Sequence, residues 1–321
     1  MPTKKGMPID TLTADINNVL KDIQAGRVVN GVSAEDLTAF SVGSAVSIDK
    51  QLNRGARGPR PPNTLYVSEL DPGCYRKVWY RYNLPPAEQQ KYSKVAPNTL
   101  IKFMHGDIIE QLALVLVKAT GRTVSHEQQP VSFTSPSGWE LRGKMDAVID
   151  GKHLIDVKST TSFGYKEFMA GKGGDKFGYG TQLNTYKYLY NLAAPKKESL
   201  TTMGFLAVDR TLGHTGYGSC VLWGNPPVDF EYKFSMAVLA ASAPIPDSMD
   251  RLASVSDGTS NMKLCTICSY CEYKHECWKD ANEGEGIKSY LYAGGKVVHL
   301  VKVVKEPRVP ELHLAEDTPD E

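Results

Sequence analysis

The chain has 321 residues, 41% hydrophobic and 23% charged, the balance of an ordinary globular protein with room for one large or two small domains. A net charge of +1 excludes no nucleic-acid role, because such an enzyme needs a local basic groove and not a basic whole. No apolar run has the length of a signal-peptide core or a membrane span, so a cytoplasmic protein (host cytoplasm if viral) with no membrane partner is expected.

Residues 1–62 predict two helices, about Asp10–Ile23 and Ser33–Gln51, the second opened by Ser33 with Glu35 and Asp36 in its first turn. A basic Gly/Pro stretch, Arg54–Pro62, then breaks the periodicity and reads as a solvated connector or a phosphate contact. Cys74 follows, and an aromatic helix-like run covers Lys77–Tyr82. Asn98–Thr120 predicts a strongly apolar helix capped by Asn98 and stopped by Gly121. Glu110 shares a face there with Phe103, Leu114 and Val117, with Asp107 one turn before it. A carboxylate in a stripe fit for burial needs a partner or a metal.

Val124–Phe133 and Gly138–Ile149 alternate as strands, and the second turns at Asp150-Gly151 into a further strand through Ser159. On that strand Asp156 and Lys158 share a face while Val157 turns away, and Asp146 supplies another carboxylate one strand over. Two acids and a lysine at the end of a sheet suit a divalent metal acting on a phosphodiester, with the lysine set against developing negative charge. To share a metal, Asp146 and Asp156 must face one side. A two-residue Asp150-Gly151 loop would set Met145 opposite Asp156, so a three-residue loop is expected, Ile149-Asp150-Gly151 with Gly151 left-handed, or an equivalent bulge.

Gly171–Gly174 reads as a loop, a substrate gate or simple slack. Phe177–Tyr190 predicts a helix with Gln182 and Tyr186 one turn apart, and with Tyr188 and Tyr190 on its buried side. Thr201–Arg210 and Val228–Val238 are strand candidates, and Cys220 reads as a core residue. Cys265, Cys268, Cys271 and Cys277 lie at gaps that let one loop present several sulfurs to one centre, iron-sulfur or zinc. Ser289–Val304 suggests a hairpin across Ala293–Lys296, and the acidic tail from Glu311 reads as disordered.

Gly143-Lys144-Met145-Asp146, nine residues, then Asp156-Val157-Lys158 resembles the active-site signature of the PD-(D/E)xK nucleases in their RecB-like exonuclease branch, as in CRISPR-associated, AddB-like and phage recombination nucleases. The later Gln182-x-x-x-Tyr186 matches that branch in order and spacing, and Gly106 followed by Glu110 resembles its helix residue facing the metal, with His105 as second choice. The resemblance covers about residues 65–280. It implies an α/β restriction-endonuclease-like core, a central mixed sheet flanked by helices. Asp146, Asp156, Glu110 and the Val157 carbonyl would hold Mg or Mn, Lys158 would offset charge, and Gln182 and Tyr186 would position the strand. In the iron-sulfur members a cysteine before the nuclease motifs joins three C-terminal ones; Cys74 with Cys268, Cys271 and Cys277 occupies those places, leaving Cys265 surplus. Such a cluster would staple the two ends of the domain, and a zinc site of the four C-terminal cysteines is the alternative. The implied function is metal-dependent exonuclease action on DNA, single-stranded or at duplex ends, in recombination, repair or CRISPR adaptation, with a recombination protein as a further partner. The rival is a non-catalytic DNA-binding scaffold with a zinc module on a decayed core. The expected domains are 1–62 (helices and linker), 63–285 (nuclease and cysteines) and 286–321 (hairpin and tail).

Overall fold

The computed structural model describes residues 8–53, 60–92, 97–171, 177–244 and 250–312. Most of the Arg54–Pro62 connector, the 172–174 part of the glycine loop and the acidic tail from 313 lie outside them. In chain order, helices α1 (Leu12–Gln24) and α2 (Ala34–Leu52) precede strand β1 (Thr64–Tyr66), and helices α3 (Tyr75–Asn83), α4 (Pro86–Tyr92) and α5 (Pro97–Ala119) follow. Next come β2 (Val124–Ser125), β3 (Gln129–Thr134), β4 (Glu140–Met145), β5 (Ala147–Ile149) and β6 (His153–Thr160). Helices α6 (Ser162–Met169) and α7 (Tyr179–Ala193), strands β7 (Thr202–Asp209) and β8 (Thr215–Ser219), and helix α8 (Pro226–Ser242) continue the chain. It closes with β9 (Val255–Ser256), β10 (Met262–Lys263), the single turns α9 (Thr266–Ser269) and α10 (Lys274–Cys277), β11 (Lys288–Tyr292) and β12 (Lys296–Lys302).

Two compact units share these elements: residues 1–71 with 95–238, and residues 72–94 with 239–321. In the first, the five-stranded mixed sheet β2-β5-β6-β7-β8 carries the core, with β6 and β7 parallel and the other neighbours antiparallel. One face buries Ala147, Ile149, Ile155, Val157 and Leu206 against Leu12 and Ile16 of α1 and Ala113, Leu114 and Val117 of α5. On the opposite face Phe205 meets Phe168 of α6 and Tyr179 of α7. Beside it, β1-β4-β3 forms a three-stranded sheet with one edge parallel. The mixed sheet flanked by helices is the architecture expected.

The Ser33 cap forms as a capping box with Asp36. Helix α5 begins at Pro97, one residue before the expected cap position Asn98; a proline suits the first turn, where its missing N–H costs nothing. Phe103, expected on the buried stripe, is exposed. Val228–Val238 is helix and not strand. Its buried Phe230, Phe234, Ala237 and Ala241 recur at helical intervals, and Phe230 and Phe234 pack edge-on against Phe133. Cys220 follows β8, half-buried and outside the core.

The second unit is built from two distant stretches of chain. Lys77 and Arg81 of α3 both pair with Glu272, Tyr80 stacks on Tyr273, and Trp79 Nε1 donates to the Ala243 carbonyl at 2.8 Å. Its sheet runs β11-β12-β10-β9, and Tyr292 pairs with Lys296 around the expected hairpin. Among the described residues no helix is long and apolar enough to cross a membrane.

Candidate active site

Register decides which way the carboxylates point. Ile149 pairs with His153 and Ala147 with Ile155, so the turn holds three residues, Asp150-Gly151-Lys152. That is one residue later than expected and of the same parity, so continuing the register sets Asp146 opposite Asp156 on one face. Asp150 and Gly151 take φ of +50° and +68° to make the turn. A buried cation clamps it: Arg122 Nη1 donates to Asp150 Oδ2 at 2.8 Å, while Nη2 reaches Asp15 Oδ2 and the Pro8 carbonyl, both at 2.8 Å. The guanidinium therefore ties the first helix to the hairpin that carries the acids. Nothing in the linear sequence distinguished Arg122, since its partners lie far from it along the chain.

On the carboxylate face the Val157 N–H donates to Asp146 Oδ2 at 2.8 Å, and Lys158 Nζ lies 2.6 Å from Asp156 Oδ2. Burial and repulsion from Asp156 and Glu110 push the Asp146 carboxyl well above the usual carboxylate range. Burial would lower the Lys158 ammonium, but Asp156 and Asp146 outweigh it and hold it above its ordinary value, so it stays charged. Lys158 also sits 4.5 Å from the centre of the Tyr179 ring. Glu110 enters from α5, pushed up to about 7 by burial and by repulsion from Asp156 and Asp107 against the pull of Gln128. Gln128 Nε2 donates to Glu110 Oε1 at 2.7 Å. Gln128 lies in a turn where both it and His126 adopt positive φ, and its own N–H donates to the Asp146 carbonyl at 3.0 Å. Sequence reasoning passed over Gln128, since a lone glutamine in a turn carries no periodic signal.

From α7, Gln182 Nε2 donates to Tyr186 Oη at 3.0 Å. Burial and the Asp156 and Asp146 charges raise the Tyr186 phenol to about 12, against the lowering by Gln182. Tyr186, and not Tyr188 or Tyr190, is the aromatic side chain buried on this helix. Gly143 makes room for it: a Cβ there would lie 2.5 Å from Tyr186 Cε1 and 2.8 Å from Val67 Cγ2. Asp146, Asp156, Lys158, Glu110 and Tyr186 thus feel one another's charge, with Gln182 bound to the last. His105 is exposed.

In the other unit, Cys74, Cys268, Cys271 and Cys277 line one small cavity together with Arg76, Lys77, Arg251 and Lys274; Cys265 is not in its wall. Burial raises all three C-terminal thiols of that cavity. Among the described residues no group of three His, Cys, Asp or Glu side chains stands arranged to hold a metal ion. Both sets nonetheless have suitable chemistry: three carboxylates gathered around one ammonium are rich in hard oxygen donors, and four thiols ringed by cations suit a thiolate-bound centre.

No curated protein matches the chain. A solved chain described as the crystal structure of SSO0001 is 17% identical with a TM-score of 0.42, over 72% of this chain and 93% of that one. Residues 74–278 match the PD-(D/E)XK nuclease superfamily. That span takes in the acid hairpin, the Gln-x-x-x-Tyr helix and every cysteine of the small cavity, and the chain belongs to the PD-(D/E)XK nuclease superfamily.

Proposed function

We propose that the chain is a Mg- or Mn-dependent deoxyribonuclease of the RecB-like branch that removes nucleotides from DNA ends. The observation carrying this reading is the convergence of Asp146, Asp156, Glu110 and Lys158 from three elements into one half-buried patch with more carboxylate than cation. Asp146 and Asp156 would hold the metal with the Val157 carbonyl, and Glu110 would complete the set. When bound, a divalent cation supplies polarisation of the phosphoryl group and easier ionisation of water. Lys158, kept charged beside Asp156, faces the negative charge that grows on the phosphate as it is attacked. The Val157 N–H fixes one oxygen of Asp146, and Gln128 holds Glu110, so neither carboxylate has to be ordered when substrate arrives. Tyr186, steadied by Gln182, orients the DNA strand.

Incubating end-labelled single- and double-stranded DNA with Mg or Mn tests this reading, with Asp156→Asn as the control. Stepwise shortening from the ends by the unsubstituted protein alone is expected. DNA that is bound but never cut in either metal would return the chain to the scaffold reading. We further propose that Cys74, Cys268, Cys271 and Cys277 hold an iron-sulfur cluster, with zinc the other candidate. Their shared cavity and its cationic wall support this ligand set, and Cys265 lies against Cys268 just outside it.

A further inference from the structure

Along β4 the residues of one face read Glu140, Arg142, Lys144, and Asp146 follows the strand's end by one residue. Arg142 and Lys144 are exposed, whereas Leu141 and Met145 of the other face are buried. In the parallel neighbour β1, Tyr66 pairs with Arg142 and is 38% exposed, and Arg60 lies 4.6 Å from the centre of its ring. Tyr66, Glu140, Arg142 and Lys144, with Lys50 of α2, line a groove of about 590 Å³ that runs to Tyr186 and to Gln128, the residue holding Glu110. A row of cations with an aromatic ring beside it therefore leads into the candidate site.

We infer that this groove is a track for single-stranded DNA, with Lys144 and Arg142 meeting successive phosphates upstream of the one cut at Asp146, and Tyr66 stacking on an unpaired base. The inference rests on the nuclease reading of the site. Alternate residues of a strand lie about 6.7 Å apart, close to the phosphate repeat of an extended single strand. A duplex strand winds away from such a row and advances only about 3.4 Å per nucleotide along its axis. An exposed tyrosine face is also of use only to a base already out of its stack. Arg142 is now held by Glu140 through two bonds of 2.7 Å, so it would exchange one anion for another, whereas Lys144 has no such rival among the described residues and is the main charge.

Anisotropy of a labelled oligothymidylate in EDTA, where nothing can be cut, measures the track directly. Lys144→Glu and Tyr66→Ala are each expected to weaken binding about tenfold, while Tyr66→Phe, which keeps the ring, binds as the unsubstituted protein does. Lys144→Ala is expected to lower the salt slope by about one. Binding unchanged by Tyr66→Ala, or a blunt duplex that competes as well as the single strand, overturns the inference. Hydrolysis of bis(p-nitrophenyl) phosphate in manganese by the unsubstituted protein tests the catalytic site separately, since so small a diester needs no track. Failure there, with the groove variants still losing affinity, overturns the nuclease reading and leaves the track standing; the converse result overturns the track alone.

Discussion

Glu110 is raised to about 7 because it is buried and faces other carboxylates. A raised acid pKa means the folded chain holds a proton that the unfolded chain has released. This contribution to stability is therefore intact below the ordinary glutamate range and is lost as pH climbs to about 7, a difference of a few kcal/mol. Glu110→Gln, which can still accept from Gln128, is expected to raise the Tm of the metal-free protein at pH 8 and to leave it nearly unchanged near pH 5 (both pH values chosen about the shifted pKa). An equal effect at both would show that Glu110 is not strained by its charge. Lys158→Ala is expected to cut turnover about 100-fold with DNA binding little altered, because its charge matters most in the transition state, and to lower the Tm of the metal-free protein, because it leaves the buried Asp156 without its cation. A variant of full activity would remove the lysine from the chemistry. Gly143→Ala forces a methyl group onto Tyr186 and Val67; thermal melts are expected to show a loss of about 1–3 kcal/mol. In a Tyr186→Ala background the same substitution should cost less, and an undiminished loss would deny the contact. At this scale the acids, the lysine and the Gln-Tyr pair were legible, since each follows a strand or helix period. Arg122, Gln128 and the reason for Gly143 were not, because each depends on a neighbour remote in sequence.

The acid hairpin works as an element only while its turn keeps three residues. Arg122 is buried between Asp15 and Asp150, with side-chain exposures of 0%, 16% and 10%. Arg122→Ala would strand both carboxylates and is expected to cost about 3–5 kcal/mol by denaturant titration; a loss under about 1 kcal/mol would mark the network as a surface pair. The need for a three-residue turn followed from the chemistry before any coordinates, yet its placement did not. Asp150 was the residue that decided it, by taking a left-handed conformation that Arg122 and Thr123 hold in place. Helix α8 misled in the opposite way. Its valines and phenylalanines suit a strand locally, but the packed residues are Phe230, Phe234, Ala237, Ala240 and Ala241, at an interval that needs tertiary partners to be read.

At the scale of the molecule, the proposed cluster would link Cys74 to residues nearly two hundred positions later. Closing so long a loop removes roughly 5 kcal/mol of unfolded-chain entropy by analogy with a disulfide. Cys74→Ser is accordingly expected to bleach a visible chromophore and lower Tm, and Cys265→Ser to do neither. Colour lost with Cys265 and kept without Cys74 would make the site local to the C-terminal cysteines. The family resemblance suggested this partnership of distant cysteines, while the rest of the second unit, a few short strands and single helical turns, has too little periodicity to be drawn in advance. That unit takes its first segment, Pro72–Lys94, from far upstream of its remainder. On the ribosome, Trp79 and Tyr80 emerge long before Ala243, Glu272 and Tyr273 exist to receive them. At ordinary elongation speed the wait is roughly ten to forty seconds. Throughout it a nascent aromatic helix stays without its partners, a window in which a chaperone could hold the chain and in which a premature stop would leave that helix permanently bare.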